Sequence, residues 1–140
     1  MNLVQKLLEL DKNKLTEMPT NKVEIPRLSK LAGEKFEVEV RGLDDKTYKN
    51  IQKMSVTIKK GNLKNIDVDL LQDLSLESGI VDPDLHNKKL QEHLGAINCR
   101  DLVSKLFLPG EKTILYLEIN KLTGFKSEEE EEEDKDTIKN

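Results

Sequence analysis

Residues 22–41 read KVEIPRLSKLAGEKFEVEVR, and two short alternations in that stretch decide the fold class. Val23 and Ile25, then Phe36, Val38 and Val40, alternate with charged residues, which is the period-2 pattern of half-buried strands. Pro26 lacks an amide donor, so the first strand must end there or lie at an edge, and Gly33 falls in the connection. The spacing predicts an antiparallel pair over about 22–28 and 35–41. Beyond residue 44 the apolar period changes from 2 to 3.6. The expected class is therefore α+β: a mostly helical single domain with one antiparallel β-hairpin near the N-terminus.

The helical part can be read from its caps. Asp44 opens a helix expected over about 45–58, with Tyr48, Ile51, Met54, Ser55 and Ile58 inward and Lys46, Lys49 and Lys53 outward. The turn KKGN, with Gly61, should end it. Leu70, Leu71 and Leu74 mark a second helix from Val68 to Ser78, closed by Gly79. Asn87 caps KKLQEHL, which Gly95 stops, and Asn98 caps RDLVSKLF with Asp101 favourably placed at its third helical position. LPGE interrupts the chain, and Pro109 and Gly110 should separate two antiparallel helices that bury Leu102, Leu106, Leu115 and Ile119 between them. The last helix is expected over about 111–123, ending at Gly124. At the other end, Leu3, Val4, Leu7 and Leu8 form a helical stripe within residues 1–10, too short to be stable without a partner or a dock.

Composition sets the outer limits. The chain has 140 residues, 36% hydrophobic and 4% aromatic, with no Trp, so its core must rest on Leu, Ile and Val. The net charge of −4 is unevenly spread. Residues 126–140 hold eight acids, including the run Glu128–Glu133, and three lysines, which leaves 19 acids against 20 bases in residues 1–125. Like charges in such a block repel and bury nothing, so the tail at 126–140 is expected to be disordered beside a domain at 1–125. A nearly neutral body gives no electrostatic footprint for nucleic acid. The single Cys99 precludes an internal disulfide and fits a reducing compartment. No apolar run reaches the length of a membrane span, and the start lacks the form of a signal peptide. These limits describe a soluble, intracellular domain.

Site chemistry is sparse. Neither Gly-rich phosphate loop nor H-E-x-x-H is present. His86, His93 and Cys99 offer fewer ligands than a structural zinc site needs. Ser75 and Ser78 have no neighbouring His to act as a base. Cys99 follows a helix cap, where a thiol pKa can fall, but a lone thiol is more often a small spacer. Catalytic, cofactor and metal residues are therefore expected to be absent, and no cofactor is expected. One alternative comes from residues 90–107, which have the helix, Gly turn and helix of a helix-turn-helix. Asp101 would meet DNA phosphates badly there, with only Arg100 and Lys105 to offset it. A small DNA-binding regulator using residues 90–107 is nonetheless the reading to set against any other.

Taken in order, several stretches resemble the XkdN-like tail assembly chaperones of phages and phage-derived elements. They are GIVDPDL at Gly79–Leu85, DLVSKLFLPGE at Asp101–Glu111 and KLTGF at Lys121–Phe125, with the opening LVQKLLELDKNKLTEMP. The likeness covers most of residues 2–125 and leaves the acidic run outside. Asn98 and Cys99 depart from the Thr or Ser followed by Pro expected in this cap, which alters its chemistry and not the architecture. The resemblance implies a non-catalytic protein of the host bacterial cytoplasm that is absent from the finished particle. Its implied partners are the tape-measure protein, which it would keep soluble, and the tail-tube protein, which it would help recruit. Nucleic acid and membrane are not among them, and self-association is compatible with it. Relatives also form a longer, frameshifted product, a property that protein sequence does not reveal.

Overall fold

A computed structural model describes residues 2–59 and 62–125 of the chain. The acidic tail at 126–140, with its expected disorder, the Lys60–Gly61 turn and the inward placing of Ile58 lie outside what is described. Strands β1 (Thr20–Glu24) and β2 (Glu37–Arg41) form the antiparallel pair, with Thr20 opposite Arg41 and Val23 opposite Val38. Alternation places Val38 and Val40 in the core and turns Glu37 and Arg41 outward. The class is α+β, as its sequence pattern implies.

Several expectations need correction. The first strand stops at Glu24, and Pro26 opens a helix, α3 (Pro26–Ala32), instead of ending a strand at 28. Proline suits the first helical position, where no amide bond is lost, and Gly33 closes the helix at φ 74°. The hairpin is also not alone. A short strand β5 (Ile80–Asp82) adds to β2, giving the antiparallel order β1–β2–β5. In addition, helix α4 (Asp45–Met54) ends four residues before the expected 58, and β3 (Val56–Lys59) pairs with β4 (Asn62–Ile66). Val56, Thr57 and Ile58 are consecutive β-branched residues, which lose rotamer freedom in a helix and suit a strand. Buried Ser55 fixes the base of this second hairpin, because its carbonyl accepts from the Asp67 amide at 2.7 Å.

Helices α5 (Val68–Gly79), α6 (Lys88–Leu94), α7 (Cys99–Leu106) and α8 (Pro109–Thr123) supply most of the core. The caps of α6 and α7 are those the sequence shows: Asn87 Oδ1 accepts from Leu90 N, and Asn98 Oδ1 accepts from Asp101 N. Helix α5 is central and packs against α4, α7 and α8, while α8 also lies on β1 and β2. Here a further correction falls. Direct contact between α7 and α8 is slight; each buries its apolar face in the core shared with α5, so Leu102, Leu115 and Ile119 are fully buried but Leu106 only partly. The Pro109–Gly110 pair begins α8 rather than standing outside it.

Candidate functional site

The most specific sequence motifs prove to be joints of the fold. At the LPGE corner, Glu111 accepts from the Leu108 amide at 2.8 Å and closes the first turn of α8. Its carboxylate also takes both Nε and Nη2 of Arg27, at 3.0 and 2.8 Å, and Nη2 reaches the Leu106 carbonyl at 2.8 Å. One arginine thus ties α3 to the end of α7 and the start of α8. In the GIVDPDL stretch, Gly79 lies against Ile119, Ile80 pairs with Val40, and the Asp82–Pro83 bond is cis. Leu85 is buried, and its carbonyl accepts from Gln91 Nε2 at 2.9 Å. In the closing KLTGF, Thr123 Oγ1 accepts from the Leu43 amide at 3.0 Å and donates to the Ile119 carbonyl at 2.6 Å. Phe125 then packs its ring on Tyr48, 5.5 Å between centroids.

Exposed apolar side chains occur at several places, among them Leu31, Ile97 and Leu117, and the densest group of them lies at the N-terminus. Helices α1 (Leu3–Glu9) and α2 (Lys12–Thr16) contain no buried residue. Leu3 is 74% exposed and Leu8 78%, with Val4, Leu7, Leu10 and Leu15 also open to solvent. The fold still defines this arm: Asn2 and Gln5 form a reciprocal capping box, and Asp11 caps α2 through the Asn13 amide. A capped helix with a solvent-facing leucine stripe has the form of a partner-binding element.

The arm leads into a cleft of about 950 Å³ between β1, β5, α4 and α5. Leu43, Ile51, Leu74 and Ile80 contribute its apolar lining, Met18 and Met54 add adaptable thioethers, and Asp44, Glu77, Asp84, Arg41 and Arg100 bring charge. Asp44 is held below the usual carboxylate range, mainly by the hydrogen bond it accepts from the Thr47 amide as N-cap of α4. Sequence reasoning does not find this cleft, because its walls come from segments far apart in the chain. Met18 and Met54 leave no local pattern to signal it.

The sequence-predicted titratable candidates do not converge. Cys99 is buried, and burial, aided by Glu77 and Asp84, pushes its thiol up to about 11, opposite to the lowering a helix cap can produce. Among the described residues no three His, Cys, Asp or Glu side chains form a group that could hold a metal ion. In the stretch 90–107, Cys99, Leu102 and Val103 of α7 face the core. Arg100 Nε lies 3.7 Å from Glu77, and Lys105 Nζ is held 3.0 Å from Asp101, so both cations a recognition helix would need already face acids.

With this geometry in place, comparison with known families is decisive. The family model of the phage XkdN-like tail assembly chaperone proteins matches residues 4–138. The chain belongs to that family. The match to the tail assembly chaperones runs through the acidic run to residue 138, past the end at Phe125 that the sequence motifs alone mark. A search of curated sequences returns no match. Among solved structures, the crystal structure of the protein YqbN, a structural-genomics target, is similar at a TM-score of 0.60 and 14% identity, over 84% of this chain and 98% of that one. At that identity the likeness speaks for the fold of the chaperone. In the described residues, no helix is long and apolar enough to cross a membrane.

Proposed function

We propose that this tail assembly chaperone is non-catalytic and works by covering apolar helical segments of the tape-measure protein, keeping that protein soluble while tail-tube subunits are recruited. The reading places it in the host bacterial cytoplasm and outside the finished particle. It treats residues 1–125 as the chaperone domain and 126–140 as an acidic appendage. The observation that carries it is the N-terminal arm, whose capped helix exposes Leu3, Val4, Leu7 and Leu8 with no core contact of its own. Exposed leucines at helical spacing are poorly placed in an isolated monomer and well placed against another amphipathic helix. The methionine-bearing cleft beside the arm offers a second adaptable apolar surface.

The test is co-expression of the tape-measure protein with the full chain carrying Leu3→Ser, Val4→Ser, Leu7→Ser and Leu8→Ser. Wild type should keep the tape-measure protein in the soluble fraction, and the variant should lose that effect. Because none of the four side chains is buried, the thermal midpoint should stay within what surface changes of about 0.5 kcal/mol each produce. Full solubilisation by the variant would remove the arm from the account. Salt-sensitive binding of duplex DNA by wild type, with no effect on tape-measure solubility, would transfer the assignment to a regulator.

A further inference from the structure

The three lysines of α4 lie on a flank of that helix distinct from the one that faces the cleft. At about 100° per residue, Ile51, Ser55 and Tyr48 define the inward side, and Thr47, Asn50 and Met54 turn to the cleft. Lys46, Lys49 and Lys53 fall together on the other flank and are exposed. Lys49 lies 2.9 Å from Asp45, itself largely exposed, and the charge of Lys46 acts on the Asp44 carboxylate. Tyr48 and Gln52, joined by a 2.8 Å hydrogen bond, border this lysine flank. Phe125 packs on Tyr48, so the described chain ends at the edge of the lysine face.

The next residues carry the complementary charge. Glu128 is three positions past Phe125 and opens the run Glu128–Glu133, followed by Asp134. Three residues reach about 10 Å, and six more in extended form reach about 20 Å. The lysine row from 46 to 53 is about 10 Å long. Length, starting point and sign therefore match. We propose that the acidic run Glu128–Glu133 docks on the Lys46–Lys49–Lys53 face of α4 in its own chain, shielding that face from other anionic surfaces. Each exposed pair is weak, and the contact forms because tethering at Phe125 supplies a high effective concentration. It should accordingly open with salt.

A nitroxide attached at Thr137→Cys in the full chain tests this, since buried Cys99 will not compete for the label. At 10 mM salt, where the Debye length is about 30 Å, the amides of residues 46–53 should lose intensity selectively. That loss should vanish at 1 M salt, where the length is about 3 Å, and also when Glu128–Glu133 are all changed to Gln. Changing Lys46, Lys49 and Lys53 to Gln should abolish it too, and the Glu→Gln variant guards against any folding effect of the lysine changes. Loss that survives charge removal would mean proximity by tethering alone and would overturn the proposal. So would loss centred on another surface, no selective loss, or loss in a mixed sample where label and ¹⁵N sit on different copies.

Discussion

Arg27 on α3 grips Glu111 on α8 through two nitrogens, with Nη2 2.8 Å from Oε1 and Nε 3.0 Å from Oε2, although the residues are 84 positions apart. The carboxylate is mostly enclosed, the guanidinium about one-third exposed. Bidentate geometry makes this pair a joint between two elements rather than a loose surface contact. It accounts for the glutamate of the LPGE corner without any appeal to catalysis.

That joint should show in the pH dependence of stability. Hydrogen bonds from Arg27 hold the Glu111 carboxyl below its ordinary range, against the opposing effect of burial and with help from the Leu108 amide. A depressed folded-state pKa stabilises fully above the unfolded value of about 4.3 and is lost as pH falls through the folded value. Wild type should therefore exceed Glu111→Gln in urea midpoint above about pH 5, with the gap closing as pH drops below about 4. A gap that stays constant from neutral to acid would show that the charge of Glu111 contributes nothing.

Gly79 gives a packing prediction. An added Cβ there would meet Ile119 Cδ1 at 2.6 Å, on the fully buried face of α8. Gly79→Ala should cost about 1–3 kcal/mol from overpacking. Ile119→Ala alone should cost about 2–5 kcal/mol from the cavity it leaves. The double variant should cost less than the two costs added, because each change relieves the other. Additive losses in chemical denaturation would place the strain elsewhere.

The parts of this fold that were legible in the sequence are those written locally. Asp44, Asn87 and Asn98 mark helix starts because a side-chain cap reaches only two or three residues ahead. The alternation of Val38 and Val40 marks a strand because each side chain reports its own face. What escaped depends on distant partners. β5 has three residues, too few to alternate visibly, and exists through pairing of Ile80 with Val40. Pro26 and Gly33 were legible as the two ends of a short helix, but the strand pattern around Ile25 masked them. Of the candidate site, the stripe Leu3, Val4, Leu7 and Leu8 is visible in sequence, whereas its lack of any dock is a fact of three dimensions.

Cys99 should be chemically quiet. Its side chain is 4% exposed, and burial raises its thiol to about 11. Thiolate is the reactive form, so alkylation at pH 8 should be far slower than for a free thiol near 8.5. Addition of urea through the unfolding transition should bring the rate to that of an exposed cysteine. Rapid labelling of the native chain would mean that α7 opens readily from α5 and α6.

The Leu43–Thr123 bond closes the same structure from the other end. Leu43 is buried just after β2, and its amide donates to Thr123 Oγ1 at 3.0 Å, while that hydroxyl donates to the Ile119 carbonyl at 2.6 Å. Gly42 permits this closeness, since a Cβ there would strike the Leu122 carbonyl. Thr123→Val keeps the shape of the side chain but removes the acceptor, leaving a buried amide unpaired at a cost of about 1–3 kcal/mol. Thr123→Ser retains the hydroxyl and should recover most of that loss. Hydrogen exchange at the Leu43 amide is the decisive reading, because a bond broken there speeds exchange locally as well as lowering global stability. Faster exchange in the Val variant, with protection regained in the Ser variant, would establish that the end of α8 is locked to the sheet through this hydroxyl. Equal protection in all three chains would mean that packing of Leu122 and Ile119 alone holds the helix in place.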